Sequence, residues 1–319
     1  MEKRKLGKSG LLVTPIAFGG NVFGWTVDEN QSFKLLDAFV DADFNFIDTA
    51  DTYSWWVEGN KGGESEAIIG KWFSERKNRD NIILSTKVGS QTKEHPKNNS
   101  KKFILASVES SLRRLRTDYI DLYQTHFDDE ITPVEETLSA YQQLIKEGKV
   151  RAIGTSNMSP ERILQSLKAS EENDLPKYET LQPLYNLLER EPYEKELQAI
   201  VKQNDMGVIN YYSLASGFLT GKYRGKNDLD KSPRSHGLEK YLNEKGFKIL
   251  EALDQVSEKH NSNPATISLA WLLARPTITA PIVSATSIKQ LQSIIDAPQV
   301  KLDQRDLDTL NKASSWQSK

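Results

Sequence analysis

Phe46-Ile47-Asp48-Thr49-Ala50-Asp51-Thr52-Tyr53 is an apolar run that stops on an acid, with a tyrosine five residues further on. The same cadence returns along the chain. Apolar runs of strand length occur at residues 15–18, 46–47, 82–84, 119–123, 150–153, 180–181, 207–209 and 280–283, and an amphipathic helical stretch separates most of them. One such helix carries Ile104, Val108, Leu112 and Leu115 on a single stripe at spacings of four, four and three. Eight strands alternating with helices in 319 residues predict an α/β chain, a single (β/α)8 barrel of the TIM type. One domain is expected to span residues 1–319. The rival architecture, an open doubly wound sheet, usually carries a Gly-rich phosphate turn after its first strand, and no G-x-G-x-x-G occurs.

Ahead of the barrel, residues 3–13 read as a β-hairpin turning on Gly7-Lys8-Ser9-Gly10. The Gly-Lys-Ser is no phosphate loop, because Glu2 stands where that motif needs a glycine. A helix is expected over residues 31–42. Another should start with Thr132 as N-cap, Pro133 in the first turn and Glu135 closing a capping box, and end at Gly148. Ser159-Pro160 and Asn263-Pro264 repeat the cap-plus-proline start. Long segments at 49–63, 89–100 and 222–245 read as extended loops at the C-terminal rim, lids or substrate loops.

Composition narrows the function. A net charge of −2 gives no long-range attraction to nucleic acid or acidic membranes. Without cysteine, thiolate catalysis, disulfides and cysteine metal sites are excluded, and a cytoplasmic location is expected. Residues 11–13 follow three basic residues, but Thr14-Pro15 breaks the run at once, so a signal peptide is not expected. No apolar run approaches a membrane span. No nucleic-acid or membrane partner is therefore expected, and the chain is expected to be a monomer or a homo-oligomer.

Barrel chemistry gathers where strands run into the following loops, and there the chain places Asp48, Lys87, His126, Ser156-Asn157, Gln182 and Tyr211. Singly, each has an ordinary reading: Asp48 as a turn cap, Tyr53 as packing, Lys87 as a solvated charge, His126 as a structural histidine. If those three successive strands lie side by side and parallel, Asp48, Lys87 and His126 together with Tyr53 are expected to form a proton-handling group. His95, His236 and His260 lack ligand spacing, so no metal site is expected.

The stretch 46–50 with Tyr53, then Ser85-Thr86-Lys87, Gln124-Thr125-His126, Gly154-Thr155-Ser156-Asn157, and Tyr211 ahead of residues 214–223, appear in order at matching strand ends. In these motifs the chain resembles the aldo-keto reductases over essentially its whole length. The resemblance implies hydride transfer between a nicotinamide dinucleotide and a carbonyl or alcohol, with Asp48, Tyr53, Lys87 and His126 as catalytic residues. It makes Tyr53 the proton donor, with Lys87 lowering its pKa, Asp48 holding Lys87, and His126 donating to the carbonyl oxygen. It assigns the nicotinamide carboxamide to Ser156, Asn157 and Gln182, and the ring stack to Tyr211. The pyrophosphate falls to the loop from Leu214 through Ser216 and Gly217 to Lys222, and the far end of the cofactor to Ser284 and Gln290. NADP(H) is the family default. Ser284, Thr286 and Ser287 are neutral where a cation for the 2′-phosphate is common, so NAD(H) use is open, with Lys222, Arg224, Arg234 and Lys289 as substitute cations. Tyr212 stands where a small residue is usual. Trp25, Trp55, Trp56 and Phe127, beside His126, are the candidate substrate contacts, for a sugar ring or an aromatic aldehyde, or else loop packing. The family also contains potassium-channel β subunits, so a cofactor-sensing binding subunit is the alternative. A barrel isomerase working without a dinucleotide is a third reading.

Overall fold

The computed structural model describes residues 1–231 and 237–317. A short antiparallel hairpin, β1 (Arg4–Lys5) and β2 (Leu12–Val13), comes first. Then come β3 (Ala17–Gly19), α1 (Glu29–Asp41), β4 (Phe46–Asp48), α2 (Glu64–Arg76), β5 (Ile83–Val88), α3 (Lys101–Leu115), β6 (Ile120–Thr125) and α4 (Val134–Lys146). β7 (Val150–Ser156), α5 (Pro160–Glu172), β8 (Thr180–Gln182), α6 (Gln198–Gln203) and β9 (Gly207–Val208) continue the alternation. α7 (Glu244–Lys259), α8 (Pro264–Leu273), β10 (Ile282–Val283), α9 (Ile288–Asp296) and α10 (Gln304–Ala313) complete it.

Strands β3 to β10 form one parallel sheet in the order β10-β3-β4-β5-β6-β7-β8-β9. The sheet curls shut. Thr279 N–H and Ala280 N–H donate to Val208 O at 2.8 and 3.2 Å, and Ile282 N–H donates to Asn210 O at 2.9 Å, joining the last strand to β9. This is the eight-stranded TIM-type barrel that the strand count predicts.

Two apolar layers hold it. Between strands and helices lies the large core of Phe18, Phe39, Ile69, Trp72, Leu84, Tyr123, Tyr141 and their neighbours. Inside the barrel lies a smaller cluster of Ala17, Phe46, Leu122, Ala152, Ile209 and Ile282, into which the hairpin residues Leu6, Leu11 and Val13 pack. Side chains alternate along a strand, so the residues two positions beyond this layer also face inward. Those are Asp48 after Phe46, Gln124 after Leu122 and Gly154 after Ala152. The interior thus passes from apolar to polar toward the C-terminal ends of the strands.

Local signals mostly hold. Ser159 and Asn263 accept hydrogen bonds from Arg162 N–H and Thr266 N–H, with proline in the first turn. The capping box at Thr132 does not form. The Thr132 hydroxyl donates to Asp129 Oδ2 at 2.6 Å, and α4 starts after Pro133 with no side-chain cap. Asp129 accepts from two backbone N–H groups of that turn and so takes the hydroxyl that a cap would use. Of the expected lids, residues 232–236 lie outside the described residues, and the others of 222–245 are largely structured. They hold single turns at Lys226–Lys231 and Leu238–Tyr241 and the start of α7, with Tyr223 and Leu238 buried. The segment is anchored because Lys240 and Tyr241 both donate to Glu189.

Helix α2 packs so closely on α3 that a Cβ at Gly70 would lie 2.0 Å from the Arg114 carbonyl oxygen. Gly70→Ala is expected to destabilise the fold by about 1–3 kcal/mol, the usual penalty for overpacking. A urea unfolding curve tests this, and an unchanged midpoint would mean that the two helices can part freely.

Candidate active site

The register of the barrel assembles the site. Asp48 on β4 pairs with Ser85 on β5, Lys87 pairs with Gln124 on β6, and Ser156 on β7 pairs with Gln182 on β8. Tyr53 returns to this layer because the loop after β4 is stitched onto β5: Thr49 N–H donates to Ser85 O and Asp51 N–H to Lys87 O. Tyr53 N–H then closes the turn onto Ala50 O.

Lys87 is fully buried, and its ammonium donates to three oxygens: Asp48 Oδ2 at 2.6 Å, Thr49 O at 2.6 Å and Tyr53 OH at 2.9 Å. A buried ammonium is costly unless paired and hydrogen-bonded, and here every proton has a partner. Burial works against the Lys87 charge, but Asp48 and Tyr53 outweigh it and raise its pKa. At Tyr53 burial is also the largest influence. It pushes the phenol up from its usual value, while Lys87 pulls down and Asp48 pushes up. This corrects the expectation of a lowered phenol pKa: the ammonium acts in the expected direction but is outweighed by loss of water. His126 follows β6, its backbone N–H bonded to Val88 O at 2.8 Å and its ring centroid 5.9 Å from that of Tyr53. Burial and the Lys87 charge hold its pKa well below the usual value, so the imidazole is neutral and offers one N–H.

The other oxygen of Asp48 is occupied as well. Ser85 Oγ donates to Oδ1 at 3.0 Å, Gln182 Nε2 at 3.1 Å and Gln124 Nε2 at 3.5 Å, and Gln124 also donates to Ser85 Oγ at 2.8 Å. Ser85 and Gln124 were not candidates in the sequence. The available signal is period two: each lies two residues before Lys87 or His126 and shares its inward face.

The candidate cofactor residues cluster in part. Ser156 Oγ donates to Gln182 O at 2.8 Å, and Asn157 Nδ2 reaches His126 O and Ser156 Oγ, each at 3.0 Å. Tyr211 OH donates to Asn157 Oδ1 at 2.9 Å. The Tyr211 ring lies 5.3 Å from that of Tyr212, whose side chain is half exposed at the mouth. After Leu214, Ala215, Ser216 and Gly217 all adopt left-handed backbone (φ 47°, 54° and 95°), which turns the chain sharply. The Lys222 side chain crosses that turn, with Nζ 3.6 Å from where a Gly217 Cβ would stand. A cation over a tight backbone turn suits a phosphate, and no described residue donates to the side-chain Oε1 of Gln182, whose Nε2 is on Asp48, which suits a carboxamide N–H. The residues present therefore fit a nicotinamide dinucleotide.

Ser284 Oγ lies within hydrogen-bond distance of Gly19 O and Asn21 Oδ1, Gln290 Oε1 accepts from Thr286 N–H, and Arg224 pairs with Asp254 at 2.7 Å. Lys289 is exposed at the start of α9. Arg234 and His236 lie outside the described residues. Trp25 meets Trp56 edge-on at 5.5 Å, Trp56 meets Tyr53 at 6.4 Å, and Phe127 meets His126 at 4.9 Å. Trp55 makes no ring contact in this chain of aromatics. Among the described residues no group of three or more His, Asp or Glu could hold a metal, and no helix is long and apolar enough to cross a membrane.

The model of the Aldo/keto reductase family matches residues 15–315. An uncharacterized oxidoreductase, YrpG, of Bacillus subtilis (strain 168) is 34% identical, the match covering 98% of this chain and 95% of the relative. L-glyceraldehyde 3-phosphate reductase of Escherichia coli O157:H7 is 33% identical, over 93% and 87%. A probable voltage-gated potassium channel subunit beta of Arabidopsis thaliana is 31% identical, over 94% and 92%.

Proposed function

Since the chain belongs to the aldo/keto reductase family, we propose that it is an oxidoreductase that interconverts a small carbonyl compound and its alcohol, with NAD(P)(H) as hydride partner and Tyr53 as general acid and base. One observation carries the proposal: a single buried ammonium, Lys87, lies 2.6 Å from Asp48 and 2.9 Å from the Tyr53 hydroxyl. A dinucleotide bound here supplies the hydride, and the protein supplies geometry and electrostatics. Tyr53 holds the proton that the forming alkoxide needs. Lys87 lowers the cost of the phenolate left behind, and Asp48 fixes Lys87 in the charged form. The neutral His126 N–H orients the carbonyl oxygen and meets its growing negative charge. Asn157, Ser156 and Gln182 meet the carboxamide, the Tyr211 ring sets which face of the nicotinamide is presented, and Lys222 with the 214–217 turn holds the pyrophosphate. NADP(H) is the default cofactor, with Lys289 as the cation at hand near the neutral Ser284–Ser287 segment.

Because burial keeps Tyr53 protonated at neutral pH, reduction is expected to run at a level rate through neutrality and to fall as pH rises through the phenol pKa. Oxidation needs the phenolate and should climb over the same alkaline range. A carbonyl and alcohol panel, run in both directions with both dinucleotides across pH, tests both function and cofactor choice. Failure to bind either dinucleotide, or pH profiles of the opposite slope, would overturn the proposal. The similarity to a potassium channel β subunit supports a second reading, a cofactor-sensing binding subunit. Dinucleotide binding without turnover on any substrate of the panel favours that reading.

A further inference from the structure

Asp48 is held on both sides, by an ammonium on Oδ2 and by uncharged donors on Oδ1. A carboxylate only accepts, so the Gln182 amide nitrogen has to be the atom that faces it. That leaves the Gln182 carbonyl oxygen turned to the other side of the same planar group, with no donor among the described residues. Ser156, which holds the Gln182 backbone carbonyl, and Asn157 flank it on the next strand end.

We propose that Gln182 is a positioning residue that couples the nicotinamide subsite to the proton-handling group, through one amide with its N–H on Asp48 and its carbonyl oxygen toward the carboxamide. This rests on the dinucleotide reading above. A carboxamide N–H donating to Gln182 Oε1 polarises the amide and strengthens its N–H donation to Asp48, as in any chain of linked hydrogen bonds. A better-satisfied Asp48 opposes the phenolate less, so an occupied subsite favours ionised Tyr53. Ser85 and Gln124 hold the same oxygen but lie deeper in the barrel, so they set the acidity of Tyr53 without sensing the ligand. The titratable and charged groups facing Tyr53 are Lys87, Asp48, His126, Tyr211 and Tyr212, and Gln182 acts through Asp48 alone.

Binding couplings are reciprocal, so the effect can be read without turnover. NADPH affinity is measured by fluorescence against pH for the wild type, Tyr53→Phe, Gln182→Leu, Ser85→Ala and Gln124→Leu. Wild-type affinity should rise by roughly three- to tenfold across the alkaline range where Tyr53 ionises, equivalent to a phenol shift of about half to one pKa unit. The rise should vanish in Tyr53→Phe and in Gln182→Leu. It should persist in Ser85→Ala and Gln124→Leu, displaced to higher pH, because the Asp48 field on the phenol is then less screened. If Gln182→Leu weakens binding equally at every pH while keeping the rise, Gln182 is only a cofactor contact and the proposal falls. A rise that survives Tyr53→Phe also overturns it. Should Gln182→Leu not fold, Gln182→Asn, which draws the amide back by one methylene, carries the same comparison. No NADPH binding by the wild type would sink the dinucleotide reading itself, a result distinct from either of these.

Discussion

Replacing Tyr53 by Phe is expected to cut turnover in both directions by about 10²–10⁴-fold, the usual contribution of a positioned general acid, and to leave dinucleotide affinity at neutral pH unchanged. The phenol oxygen is the only part removed. Its ring still packs against Trp56 and His126, so the cavity keeps its shape. Lys87 loses one acceptor but keeps Asp48 and the Thr49 carbonyl. Steady-state kinetics and fluorescence titration measure the two quantities. Equal activity in wild type and variant would remove Tyr53 from the mechanism, whatever the geometry.

Lys87→Met is expected to act on both function and stability. It strands the Asp48 carboxylate, which is 1% exposed, with neutral donors only. Removing one member of a buried ion pair costs about 3–5 kcal/mol, so chemical denaturation should show a large loss, together with loss of turnover. The double variant Asp48→Asn, Lys87→Met removes both charges and should regain much of the stability without regaining activity. Non-additivity of that kind marks a directly coupled pair. If the double variant were as unstable as the sum of the single ones, the two groups would not be paired in solution.

The strands were legible because a buried parallel strand reads as a short apolar run, and the acid, the ammonium and the imidazole interrupt such runs at their ends. What was not legible depended on three-dimensional competition. The Thr132 hydroxyl looked like a cap, but Asp129, three residues earlier, claims it. Helix α2 starts after Gly63 with no capping side chain, so no cap signal marks its first turn. The direction of the Tyr53 shift is a balance between burial and a neighbouring charge, and burial is a property of the fold. The donors on Asp48 Oδ1 come from three strands, and only the register brings Ser85, Gln124 and Gln182 onto one atom. Trp55, alike in sequence to Trp56, stays outside the aromatic chain that reaches Tyr53.

The central claim is that Tyr53, Lys87, Asp48 and His126 serve a hydride transfer. A single-turnover reaction with NADPH bearing deuterium at the transferable nicotinamide position tests it most directly. The account predicts deuterium on the former carbonyl carbon of the alcohol, a slowed transfer step with the labelled cofactor, and no labelled product from Tyr53→Phe on the same timescale. Label appearing in solvent rather than in the alcohol, or labelled product formed equally fast by Tyr53→Phe, would contradict it.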